Sequence, residues 1–175
     1  MILRNAKRRI DSASILLEHA LVKGLSTSLK STYYRSASIL LYTVVEGLTY
    51  ELVRISTTHT QHIIQEKTEH IVKHKIPSGV FSTRNDYCVC EKIKKSLKIN
   101  DNGITFADLN NYLKNKNIVS IPEYRLLDWI RKERNKLHLQ GLNLADTGYT
   151  KAKIDKAGEA MDFLITKINA LNSTS

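Results

Sequence analysis

Residues that break regular structure are scarce in this sequence. Two prolines and seven glycines in 175 residues exclude collagen-like and low-complexity chains and leave room for long helices. Cysteine is nearly absent. Cys88 and Cys90 are the whole complement, one residue apart. That excludes a disulfide-stapled scaffold, and a bridge between such close neighbours is strained. The spacing is not the C-x-x-C of redox and zinc motifs. Reduced thiols in a cytoplasm are the expectation. No run reaches the roughly 20 apolar residues of a membrane span; Ile39 to Val53 comes nearest and is broken by Glu46 and Glu51. The start, Met1-Ile2-Leu3-Arg4, leads into Lys7, Arg8 and Arg9 without the apolar core of an export signal. The expectation is a soluble, cytoplasmic chain with no membrane partner. Several catalytic signatures are missing as well: no G-x-S-x-G elbow, no Walker loop, no G-x-G-x-x-G and no H-E-x-x-H.

Acidic residues are outnumbered by basic ones, 17 to 27, for a net charge of +10. A surface of that sign suits a polyanion, whether RNA, DNA, an acidic protein or an anionic membrane.

What is present is mostly helical patterning. Ile10, Ala13, Leu17 and Ala20 or Leu21 recur at helical spacing over Ile2 to Lys23, with Gly24 as a stop. Ser28 to Ile55 carries a broad face of Tyr34, Ala37, Leu41, Val44, Val45, Leu48, Leu52 and Ile55. Ile39, Tyr42, Tyr50 and Val53 occupy its other side with Glu46, which marks a central or interface helix. A third helix is expected over Thr60 to Lys75, ended by Ile76-Pro77. From Pro77 to Cys90 the chain reads as an irregular loop, extended around Tyr87 to Cys90, followed by a short basic helix from Glu91 to Lys98. Asn100-Asp101-Asn102-Gly103 is a turn. Thr105 caps a helix to Lys116, with Asp108 as a capping-box partner. Ile121-Pro122 opens the next, which runs to Gln140 and stops at Gly141. Asp146-Thr147-Gly148 is a turn. The last helix spans Thr150 to Leu171 on a stripe of Ile154, Ala157, Met161, Phe163 or Leu164, and Ile168. The expected fold class is therefore all-α: a single domain over 1–175, an up-and-down helical bundle with a mid-chain insertion at 77–120.

The segment richest in chemistry is Trp129-Ile130-Arg131-Lys132-Glu133-Arg134-Asn135-Lys136-Leu137-His138. On a helical wheel Leu126, Ile130 and Leu137 fall within about 40° and define a core line, and Arg131, Arg134 and His138 fall within about 60° beside it. Two arginines next to one histidine repel each other and gain from an incoming anion. Arginine presents a fork that matches phosphate, and histidine can exchange a proton near neutral pH. The plainer alternative is a basic helix end with a histidine that favours the helix dipole.

Arg134-Asn135-Lys136-Leu137-His138 at the end of a late helix resembles the signature of HEPN domains (higher eukaryotes and prokaryotes nucleotide-binding). In that pattern Arg, often followed by Asn, is separated by four to six residues from His. Tyr42-Thr43-Val44-Val45-Glu46-Gly47 is similar to the family's early helix with an acidic residue facing the site. The insertion is not covered. From Arg134 to His138 there are three intervening residues, one fewer than the pattern; from Arg131 there are six, within it. Arg134 is the better match, because Asn135 follows it. The resemblance implies a metal-independent endoribonuclease that works as a homodimer with a composite site, in a toxin or phage-defence setting, with an antitoxin or other partner protein possible in that setting. It implies His138 as the proton carrier, Arg134 and Arg131 as phosphate holders, Asn135 as an orienting group and Glu46 as the carboxylate that fixes an arginine. The alternatives are a non-catalytic adaptor that binds RNA, a nucleotide or a protein, and a structural partner in a larger complex.

Lys92, Lys94, Lys95 and Lys98, with Lys136, are the expected RNA contacts; the plainer reading of the first four is a solvated helix face. His70 and His74, at i,i+4 on the expected third helix with Glu66 a turn earlier, have zinc-like spacing, and His59, His62, Cys88 and Cys90 could add ligands. The surrounding lysines oppose a cation, and no metal or cofactor is expected.

Overall fold

The computed structural model describes residues 2–57, 63–76, 87–99, 103–139 and 148–173. Five helices and one hairpin result: α1 (Ile2–Ala20), α2 (Thr27–Ser56), β1 (Ile63–Ile76), β2 (Tyr87–Lys98), α3 (Phe106–Asn115), α4 (Ile121–Leu139) and α5 (Lys151–Ser173). The chain is mostly helical but not all-α. The expected third helix is strand β1, and the expected basic helix from Glu91 to Lys98 lies within strand β2. The two strands pair antiparallel into a two-stranded sheet. The physical reason is the pairing itself. Val89, Ile93 and Leu97 stand at i, i+4 and i+8 with Glu91 and Lys95 between them, a spacing open to helix and strand alike, and the hydrogen bonds that each strand gives the other decide it.

The chain forms two compact units. One comprises Met1–Thr60 with Thr105–Ser175; the other is Gln61–Ile104. In the helical unit α2 touches each of the other four helices. Its expected broad face is buried from Ala37 to Ile55, and Tyr42 and Val53 of its second side are fully buried too. A helix wrapped on both sides is the central element of its unit. Ser26 caps it, its hydroxyl accepting from the Leu29 amide at 3.2 Å. The Thr105–Asp108 capping box opens α3: the Thr105 amide donates to Asp108 Oδ2 at 2.8 Å, and the Asp108 amide to the Thr105 hydroxyl at 3.3 Å. α5 buries Ile154, Ala157, Ala160, Leu164 and Ile168, so Ala160 takes the place expected for Met161. Gly24 follows α1 at φ +85°, a conformation in which a Cβ would be strained.

Among the described residues no helix is long and apolar enough to cross a membrane. The expected loop over 77–86, the turns at Asn100–Asn102 and Asp146-Thr147, the helix stop at Gly141, and His59 and His62 lie outside the described residues.

Candidate functional site

Helix α4 carries the candidate residues. It begins at a reciprocal cap: the Ser120 amide donates to Glu123 Oε2 at 2.6 Å, and the Glu123 amide to the Ser120 hydroxyl at 3.4 Å. Pro122 sits in the first turn, where no amide hydrogen is needed. The buried line is Leu127, Ile130, Glu133 and Leu137. Leu126, expected in the core, is only half-buried. This phase sets Arg131 and Arg134 on the rim, with side chains 25% and 28% exposed.

Each arginine is held by a different carboxylate. An Arg134 Nη lies 2.8 Å from Glu46 Oε2, which joins α4 to α2. Arg131 donates from Nε at 2.9 Å to Asp128 Oδ1, and its Nη lies 2.8 Å from the same oxygen. Lys132 occupies the other oxygen of Asp128 at 2.8 Å. Burial pushes the Asp128 carboxyl up, but the Lys132 and Arg131 hydrogen bonds outweigh it and hold the group below its usual value. Asn135 is exposed. His138 follows Arg134 by one helical turn on the last turn of α4; its side chain lies outside the described residues.

A buried carboxylate that the sequence did not single out completes the cluster. Glu133, 4% exposed, accepts from Lys136 at 2.5 Å and from Lys153 of α5 at 2.6 Å. Its burial raises the carboxyl pKa, and the two lysines more than reverse this. Lys136, expected to contact RNA, is thus engaged within its own helix. Beside it, Trp129 meets the Tyr42 ring edge-on at 6.3 Å between centroids, and Lys156 lies 4.3 Å over the indole. The only sequence signal for Glu133 was its place on the buried line, where a charged residue is unexpected. The anion that the two arginines were expected to attract is therefore in part supplied by the chain, through Glu46 and Asp128.

Lys92, Lys94, Lys95 and Lys98 lie on β2 in the hairpin unit, and Lys95 is paired with Glu69 at 3.6 Å. The helical basis for a His70–His74 metal pair is gone. Both are on β1, and a register shift between Val72 and His74 sets His70 opposite Lys92 and His74 opposite Val89, on opposite faces. Cys88 and Cys90 are exposed free thiols with their sulfurs 3.2 Å apart. Among the described residues no three His, Cys, Asp or Glu side chains form a metal-holding group. No protein-family model, curated protein or solved structure matches this chain.

Proposed function

We propose that the chain is a metal-independent endoribonuclease of HEPN type, acting in a cytoplasm as a homodimer whose two α4 helices form one site, in a toxin or phage-defence role. The observation that carries this reading is the Glu46–Arg134 pair at 2.8 Å, with His138 one turn further along α4. Glu46 holds one edge of a half-exposed guanidinium and leaves its remaining N–H groups for a phosphate. In this reading His138 takes the proton of a ribose 2′-hydroxyl. The 2′-oxygen attacks the adjacent phosphorus, the P–O5′ bond breaks, the 5′-oxygen takes a proton from water or from the imidazolium, and a cyclic phosphate and a 5′-hydroxyl result. Arg134, with Arg131, opposes the charge that builds on the phosphate oxygens.

A second reading, an RNA- or protein-binding adaptor, is favoured by the internal neutralisation of Arg131 by Asp128 and by the short spacing from Arg134 to His138. Cleavage of total RNA in EDTA separates the two. His138→Ala is expected to lower cleavage by about 10²-fold or more. Arg134→Ala should cost more activity than Arg131→Ala, and Glu46→Ala should lower activity while leaving the fold intact. Intact RNA after incubation with folded, dimeric wild-type protein sinks the nuclease reading.

A further inference from the structure

Strand alternation sorts the side chains of the β1–β2 hairpin onto two faces of different electrical character. The register sets Lys75 opposite Cys88, His70 opposite Lys92 and Thr68 opposite Lys94. One face therefore holds Lys75, Lys92, Lys94 and Lys98 with His70, and Glu66 is its one acid. The opposite face holds Glu69 and Glu91, and both are neutralised: Lys95 lies 3.6 Å from Glu69, and Lys73, at the bulge, lies 2.7 Å from Glu91. Lys67 on that face donates to the Gly103 carbonyl at 2.9 Å. By contrast, no ion pair to Lys75, Lys92 or Lys94 exists among the described residues, and all three are exposed.

We propose that this lysine face is a binding surface for the phosphodiester backbone of a nucleic acid. Alternate residues of a strand are about 6.6 Å apart. Phosphates of one duplex strand recur about every 3.4 Å along the axis, so Lys92 and Lys94 come level with phosphates two apart, and Lys98, with Ser96 between, with one four further on. Lysine is a mobile point charge with three donors, suited to phosphate and indifferent to the base. Among the described residues the face has no arginine to fork onto a base edge and no tyrosine, phenylalanine or tryptophan for a base to stack on. Contact is therefore with the backbone and independent of sequence. A lipid surface wants apolar anchors among the cations, and Val72 is the only aliphatic residue among the described side chains of this face. Binding here requires neither Arg134 nor His138, so the inference does not rest on the catalytic reading.

The test is fluorescence anisotropy of labelled single-stranded RNA and duplex DNA over a salt series, on the full chain carrying His138→Ala so that cleavage does not obscure binding. In that background, Lys92→Gln with Lys94→Gln should weaken binding about tenfold and reduce the salt slope by about 1.4 to 1.8. Lys95→Gln, one residue away on the other face, should stay within about twofold. A parallel lysine-acetylation footprint on the protein without hairpin substitutions should show Lys75, Lys92 and Lys94 protected by the oligonucleotide and Lys95 still reactive. An equal loss in Lys95→Gln, an unchanged double variant, or capture by anionic phospholipid vesicles without oligonucleotide binding overturns the proposal. RNA bound but DNA not, with the same lysine dependence, supports it and narrows the ligand to RNA.

Discussion

Glu133 is a charged residue where the helix phase puts a core position, and two lysines make that placement tolerable. The carboxyl is held below its ordinary value of 4.5 because Lys136 and Lys153 outweigh its desolvation. A folded-state pKa that is depressed means stability that is present above the unfolded value and lost as pH falls through the folded one. Melting temperature should therefore decline as pH drops below about 4.5, and Glu133→Gln should flatten part of that decline. At neutral pH the same substitution should cost about 2 kcal/mol, since it removes two charge-assisted hydrogen bonds from a buried acceptor. A melting series that is equally steep in both proteins rejects this account. At this scale the sequence was partly legible. The rim positions of Arg134 and Arg131 follow from helical spacing, whereas Glu46 as the carboxylate beside an arginine follows only from the family resemblance. The partners of Arg131 and Lys136 do not, because the spacing is equally compatible with an i,i+3 carboxylate and with an external anion.

Among the elements, the helices were readable, and of the hairpin only the extended start of β2, Tyr87 to Cys90, was. Ile64, Ile71 and Val72 stand at i, i+7 and i+8, the spacing of one helix face, whereas in strand β1 Ile71 and Val72 fall on opposite faces. In β2 the four-residue spacing of Val89, Ile93 and Leu97 fits both periods. Pairing decides such cases: each strand supplies the other's hydrogen bonds, a non-local effect that a single window does not contain. Helix α2 offers a local test. Gly47 sits inside it, and a Cβ built there meets nothing within 4 Å. Gly47→Ala should therefore raise stability by about 0.5–1 kcal/mol in urea denaturation, by removing backbone freedom from the unfolded chain. A loss of stability instead means that the site needs the bare backbone.

For the whole molecule, the division into a helical unit and a hairpin unit sets an expectation about independence. Ile63 and Lys98 are register partners, so the chain leaves and re-enters the hairpin within about 5.5 Å. Replacing Gln61–Ile104 by a short Gly-Ser linker should leave a helical unit that melts cooperatively, as followed by circular dichroism; a non-cooperative melt counts against autonomy. The hairpin alone is the weaker partner, because two strands without a covering layer are marginal in water. Among the described residues no further strand pairs with either outer edge of the hairpin, so each edge is a template for another chain to zip onto. Lysines along both strands act as gatekeepers against that, since like copies repel. Whatever neutralises them, strong salt or a bound polyanion, also lifts the guard, and association between hairpins should then grow with ionic strength rather than fade.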